Sequence, residues 1–360
     1  MISGTIAGSN SFTVYPLGEI TIPRISYSYY YISYTPFSAS GTMWIKSNST
    51  ATPVSYQISS YSGMLSFGNS YPEYLSFERC NWRRIETNIP MFNENLAFAR
   101  CSTLQKAYLY NCTSLPLRAF QTCTSLSQVS LPVCSYIGSS AFIYCYSLSY
   151  ISLPVCTYIG GEAFFVCSSL SQVSLPVCSY IGSYAFEYCS SLTSINLPMC
   201  SYIGSSAFGD CSSLSQISLP MCSYIGSYAF YSCPFSQVSL PMCSYIGSYA
   251  FDKCTSLSQV SLPVCSYIGS SAFAYCSSLS QISLPVCEVI KNAAFLSCTS
   301  LSTITIGYSS ICGLGIGVFS GTIITSSTGS IYVPASLVSA YKSASNWSQY
   351  SAIIQSYPGL

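Results

Sequence analysis

Between Cys101 and Cys298 a cysteine recurs every eleven residues, with a single ten-residue step between Cys233 and Cys243. A period this strict requires one supersecondary unit copied many times, so any function lies on a repeated surface and not in one unique pocket. The full repeat is twenty-two residues, because every second cysteine opens the same phrase: CSYIGSYAFEY from Cys178 is followed by CSSLTSINLPM, ending at Met199. The halves superpose, with Cys first, Ile181 or Leu192 fourth and Phe186 or Leu197 ninth; Ala185 and Ile195 lie close by. Both halves turn apolar side chains the same way. Gly182 and Pro198 act as breakers and no i, i+3, i+4, i+7 pattern persists, so each unit reads as a flattened coil whose apolar side is buried only by its neighbours.

The half carrying Leu-Pro alternates Val173 and Leu175 with Gln172 and Ser174, the period of a half-buried strand. Stacked copies predict a parallel sheet along one side. Its outward ladder is Gln128, Tyr150, Gln172, Ser194, Gln216, Gln237, Gln259 and Gln281, with a row of Ser and Asn beside it. This flat, uncharged face is either a solvated sheet with amide ladders or a docking face for a glycan or protein. In the other half, Tyr136, Tyr158, Tyr180, Tyr202, Tyr224, Tyr245 and Tyr267 each precede the inward Ile and face outward. A row of tyrosines either packs on itself to shield the coil edge or offers large contact area at low entropic cost. The copies differ around Ala-Phe: Ser140, Glu162, Tyr184, Ser206, Tyr228, Tyr249 and Ser271 at one place, and Ile143, Phe165, Glu187, Gly209, Tyr231, Asp252 and Ala274 at another. Variation against a constant frame predicts that these side chains are exposed, whether they set a partner preference or drift.

The string L-x-x-(V/I)-x-L-P followed by I-G-x-x-A-F-x-x-C-x-S-L recurs from Leu126 through Leu148, Leu170 and Leu192 to Leu301, with degenerate copies out to about Leu75 and Phe319. This wording resembles the BspA-like leucine-rich repeats of bacterial surface proteins, some protist surface proteins and phage-encoded proteins. The resemblance covers roughly two thirds of the chain. It departs in two ways: the stretch between Leu-Pro and Ile-Gly is one residue short, and a thiol stands two residues after each Leu-Pro, as at Cys134 and Cys178. The fold implied is a β-rich solenoid, a leucine-rich repeat of 22-residue coils: roughly ten coils, on the order of 50 Å of stack.

Composition excludes several function classes. Only 6% of residues are charged and the net charge is +1. Phosphate recognition needs clustered Lys and Arg, yet residues 101–310 hold only Lys106, Arg118, Lys253 and Lys291, so nucleic acid is not an expected partner. Apolar residues are interrupted every few positions, with no run of about eighteen, so no membrane insertion is expected. General acid or base catalysis needs His or paired carboxylates; there is no His, and the acids are scattered. GLGIG at Gly313 to Gly317 is too weak a pattern for a phosphate loop. The expectation is a non-enzymatic chain without cofactor or metal.

Twenty-one cysteines suggest disulfides, but equivalent residues of successive coils sit about one strand spacing apart, near 4.8 Å, with parallel side chains. A disulfide wants converging Cβ atoms about 3.8 Å apart. The cysteines therefore read as buried, reduced thiols acting as small core hydrophobes. A spacing of eleven with no His does not suit zinc.

A solenoid needs caps at its raw ends. Residues 1–70 read as a small β-domain of short strands separated by Gly, Pro, Asn and Ser, suited to attachment. Residues 71–100 read as an N-terminal capping coil, since Glu73 to Arg100 holds eight of the twenty-one charged residues, including Arg79, Arg83, Arg84 and Glu86. The solenoid spans 101–320, and 321–360 form a C-terminal cap: a final strand at Ile331 to Val333, then a short helix opened by Pro334, with Leu337, Val338 and Tyr341 on one face. This ending resembles the tail that accompanies such repeats in gut bacterial and phage proteins. The start lacks a basic, then apolar, secretory signal, which suits a virion protein or a mature fragment at the cell surface. The leading expectation is a non-catalytic adhesion or host-recognition protein on a phage virion or bacterial surface, binding a host-surface carbohydrate or protein. The alternative is a structural virion or surface-layer component that self-associates through its repeat faces, as a homo-oligomer or against virion neighbours.

Overall fold

The computed structural model describes residues 2–6, 10–16, 31–36, 40–46, 54–59, 63–66, 74–77, 82–92, 95–307, 309–326 and 329–357. The chain is a β-solenoid of about twelve coils of roughly 22 residues. It divides into two compact units, Met1–Leu175 and Pro176–Leu360.

In the first unit, antiparallel strands lead into the coils. Ile2–Ile6 pairs with Asn10–Pro16, that strand with Gly63–Ser66, and Gly63–Ser66 with Tyr31–Pro36. Tyr31–Pro36 pairs antiparallel with Trp82–Thr87, which in turn pairs parallel with Lys106–Leu109, Arg84 facing Lys106. That step of 22 residues starts the solenoid, so Trp82–Thr87 converts an antiparallel sheet into a parallel one. Gln128–Ser130, Tyr150–Ser152 and Gln172–Ser174 extend it. A second antiparallel sheet joins Ser40–Lys46 to Val54–Ser59 and Tyr74–Ser76. Of the expected N-terminal charges, Arg84 pairs with Glu86 and lies 4.7 Å from the Tyr108 ring centroid, while Glu73 and Arg79 lie outside the described residues.

In the second unit the tyrosine side of the coil is itself a parallel sheet, which alternation in the other half did not reveal. Tyr180–Ile181, Tyr202–Ile203, Tyr224–Ile225, Tyr245–Ile246, Tyr267–Ile268, Val289–Ile290 and Gly313–Leu314 pair in register. On the glutamine side, Ser194–Asn196 pairs with Gln216–Ser218, and Gln237–Ser239 with Gln259–Ser261. The ten-residue step is absorbed at Pro234: Phe235 takes the place of the usual Leu, is fully buried, and meets Phe230 and Phe251 edge-on at 5.9 and 6.2 Å. A larger ring fills the gap left by the missing residue.

The third side is a turn in which N–H groups alternate in direction. The N–H groups of Tyr184, Phe186 and Tyr188 donate to Ser205, Ala207 and Gly209 of the next coil, while those of Ala185 and Glu187 donate back three residues. Two residues per coil, Tyr184 and Tyr188 among them, adopt left-handed backbone without being glycine. The glycine of each Ile-Gly pair serves another need: a Cβ at Gly204 would lie 2.5 Å from the Ser183 nitrogen of the preceding coil. Only hydrogen fits that approach.

The core is a column of phenylalanines. From Phe186 to Phe295 successive rings lie 5.2–5.5 Å apart and nearly parallel, and Phe319 continues at 6.0 Å. Burying each ring contributes roughly 1.5–3 kcal/mol. Beside it run fully buried Ile203, Leu214, Leu197 and their equivalents. At the C-terminal end the α-helix Val338–Ser343 buries Tyr341, whereas Leu337 and Val338 stay half-exposed. Pro334 caps a 3-10 turn, Ala335–Leu337, ahead of the helix. Strand Ser330–Val333 is not the last one, because Ile354–Ser356 pairs with it. Trp347 and Tyr350 finish the phenylalanine column against Phe319, at 6.3 and 5.4 Å. The Trp347 indole donates to the Cys312 carbonyl at 2.7 Å.

Candidate functional site

The in-register strands fix the tyrosine column. In the second unit Tyr180, Tyr202, Tyr224, Tyr245 and Tyr267 stack at 4.7–4.8 Å with interplanar angles of 5° or less. In the first unit Tyr136 and Tyr158 stack at 4.8 Å, and Tyr136 is exposed. The other rings are half-buried by their neighbours. Burial, then the adjacent phenols, holds Tyr224 and Tyr245 above the ordinary phenol value. It is a wall of parallel rings edged with hydroxyl groups.

The glutamine face is fully solvent-facing: Gln172, Gln216, Gln237, Gln259 and Gln281 are all exposed. Beneath it Val173, Ile217 and Val260 remain half-buried. A depression of about 290 Å³ runs along Gln259, Gln281, Ser283, Thr303 and Thr305.

Around Ala-Phe the expectation of uniform exposure fails. Tyr184 and Tyr228 are exposed and Tyr249 half-buried, with Tyr228 and Tyr249 stacked at 4.6 Å. Ser140, Ser206 and Ser271 are buried, as are Ile143, Gly209, Asp252 and Ala274. The coils are so close that a small side chain is covered by a larger one next door: Ser140 donates to Glu162 at 2.9 Å, and the Glu187 carboxylate lies over Gly209. Variation therefore marks residues that adjust to each other, not only free ones.

The description "BspA type Leucine rich repeat region" matches residues 69–149, 135–241 and 223–346, in six copies. The chain belongs to the BspA-type leucine-rich repeat family. Among solved structures, a leucine-rich repeat protein from Bacteroides ovatus is 20% identical, covering 89% of this chain and 99% of its own, with a TM-score of 0.41. A leucine-rich cell surface protein from Faecalibacterium prausnitzii is 23% identical over 76% of this chain and 81% of its own, with a TM-score of 0.39. The pneumococcal vaccine antigen PcpA is 17% identical over 80% of each chain, with a TM-score of 0.38. A comparison with curated proteins finds no match.

Within this BspA-type repeat every described cysteine is a buried thiol outside any disulfide. The thiols are more than hydrophobes, since each of two ladders has a fixed acceptor. Cys211, Cys233, Cys254 and Cys276 donate to the carbonyl oxygens of Phe186, Phe208, Phe230 and Phe251 at 3.1–3.2 Å. Cys200, Cys222 and Cys243 donate to the tyrosine carbonyls two residues on, at 3.2–3.3 Å. Burial pushes the Cys200, Cys222, Cys254 and Cys265 thiols up to about 12, so they stay protonated. The position beside them was missed in the sequence. Val177, Met199, Met221, Met242 and Val264, each between Pro and Cys, are exposed and form an apolar stripe. Its signal was present, since an apolar residue in a half-unit with four inward neighbours has no inward place left.

Proposed function

We propose that this BspA-type repeat is a non-catalytic binding protein displayed on a bacterial surface or phage virion, recognising a host-surface carbohydrate or protein through its tyrosine column. The observation that carries the reading is the flat stack of five tyrosines in the second unit, held at one spacing by the backbone. Parallel phenol faces with hydroxyl edges suit the mixed apolar and hydroxyl surface of a saccharide, or an extended peptide, without a charged partner. The Gln and Ser face supplies a second set of donors and acceptors, and Tyr184, Tyr228 and Tyr249 vary from coil to coil where specificity would reside. The full chain is to be screened on arrays of host glycans and on host cells; saturable binding is expected, and absence of binding in both formats would sink the adhesion reading.

One observation favours a structural alternative. The exposed Val and Met stripe is the kind of apolar surface that associates with a like copy. In that case the protein occurs at fixed stoichiometry in a particle or surface layer and sediments as an oligomer at micromolar concentration.

A further inference from the structure

One coil of the second unit lacks bulky side chains where its neighbours carry them. In three stacked columns the residues run Tyr184, Ser206, Tyr228, Tyr249; Glu187, Gly209, Tyr231, Asp252; and Tyr188, Asp210, Ser232, Lys253. The columns are set by backbone bonds, such as the Asp210 N–H to the Tyr231 carbonyl at 2.9 Å and the Ser232 N–H to the Asp252 carbonyl at 2.9 Å. Ser206 and Gly209 together leave a basin of about 370 Å³. Carboxylates from Glu187, Asp210 and Asp252 line it, and Tyr228 and Tyr231 meet at 60° with centroids 5.9 Å apart, an aromatic corner.

Asp252 is the informative residue. It is only 6% exposed, it lines the basin, and its Oδ1 has no hydrogen-bond partner. A buried carboxylate oxygen without a donor is costly. Lys253 does not fill the role: its ammonium is on the exposed rim, donating to the Tyr231 hydroxyl at 2.6 Å and lying 5.1 Å from that ring's centroid. It does show that the corner attracts an ammonium group. The potential in the basin is negative, since the charges of Glu187 and then Asp210 are the main reason the Tyr188 phenol holds its proton more tightly. Among the described residues no three acids gather closely enough for a metal ion. The negative potential and the Tyr228–Tyr231 corner together suit an organic cation.

We propose that the basin binds an alkylammonium or guanidinium group, the end of a lysine or arginine side chain on a partner, with the Asp252 carboxylate in its lining and the Tyr228–Tyr231 corner as its wall. This site is distinct from the tyrosine column, and its failure would leave that reading untouched. The test is titration of the full chain with Nα-acetyl-lysine methylamide and its arginine counterpart, followed by calorimetry or NMR, against the uncharged norleucine analogue. Saturable binding of the cations and none of norleucine is expected. Ser206→Tyr should abolish it by filling the basin, and the variant keeps the fold because Tyr already occupies that column, in the same left-handed backbone, at 184, 228 and 249. Asp252→Asn should weaken it about tenfold or more, whereas Tyr202→Ala should not. Equal binding of norleucine, no binding of either cation, or wild-type affinity in both basin variants would overturn the proposal.

Discussion

Gly204→Ala reverses the usual expectation for glycine in a turn. The Cβ of alanine would lie 2.5 Å from Ser183 N and 2.6 Å from Gly182 C, backbone atoms that cannot rotate aside. Restoring ordinary contact requires the two coils to part by about 0.9 Å, which would stretch the Gly204 N–H bond to the Ile181 carbonyl from 2.8 Å to about 3.7 Å, outside hydrogen-bonding range. Loss of that bond and strain in its neighbours cost about 1 kcal/mol each, and overpacking adds roughly 1–3, so about 3 kcal/mol or more is expected. Ser232→Gly should behave oppositely. Ser232 has φ of 60°, and relief of roughly 1–2 kcal/mol outweighs glycine's entropic penalty of about 0.5–1. Urea unfolding followed by far-UV circular dichroism reads both; hydrogen exchange at Gly204 locates the damage, since a solenoid can open coil by coil. A Gly204→Ala protein within about 0.5 kcal/mol of wild type would refute the close-approach argument.

Four further outcomes are expected. Native protein should resist thiol reagents at pH 8, because burial holds Cys200, Cys222, Cys254 and Cys265 near 12, whereas in denaturant all twenty-one cysteines should titrate; fast native labelling at these positions contradicts the buried ladder. Phe208→Ala should cost about 3–5 kcal/mol in unfolding experiments, because it breaks the ring column midway; a cost below about 1 would contradict the packing. Burial raises the Asp252 carboxyl above its ordinary value, so the folded chain holds a proton that the unfolded chain releases first. Its penalty is absent below the unfolded value near pH 4 and grows as pH rises through the folded one, so Asp252→Asn should stabilise the protein at pH 7 but not at pH 3 in paired thermal melts. Finally, binding by the uncharged tyrosine column should change little between low and high ionic strength, whereas cation binding at the basin should weaken steeply.

The repeat and the inward places, those of the described cysteines included, were legible because each rests on a short-range pattern copied many times. Ile203, Phe208 and Leu214 are buried where the eleven-residue register puts them. The tyrosine strands were not recognised as a sheet, because two residues per coil are too few to show alternation. Exposure around Ala-Phe was misjudged at Ser206, Gly209 and Asp252, since burial there depends on the size of the residue one coil away. That relation spans about twenty-two positions and appears only when the copies are laid in columns. The basin is the same effect: two small residues in one coil, flanked by Tyr and acids, make a hole that no single copy displays. At the C-terminal end, the packing of Trp347 and Tyr350 on Phe319 and the last strand, Ile354–Ser356, lie beyond the repeat and have no copy to reveal them.

The claim that recognition runs through the tyrosine column is tested most directly by measuring host-glycan or host-cell binding of the wild type beside Tyr180→Ala/Tyr202→Ala/Tyr224→Ala. These three rings stack at 4.7 and 4.8 Å on a backbone ladder that the substitutions leave in place. The prediction is a folded triple variant whose binding falls by tenfold or more, on the order of 1–3 kcal/mol for lost aromatic contacts. Binding at the wild-type level by that folded variant would contradict it.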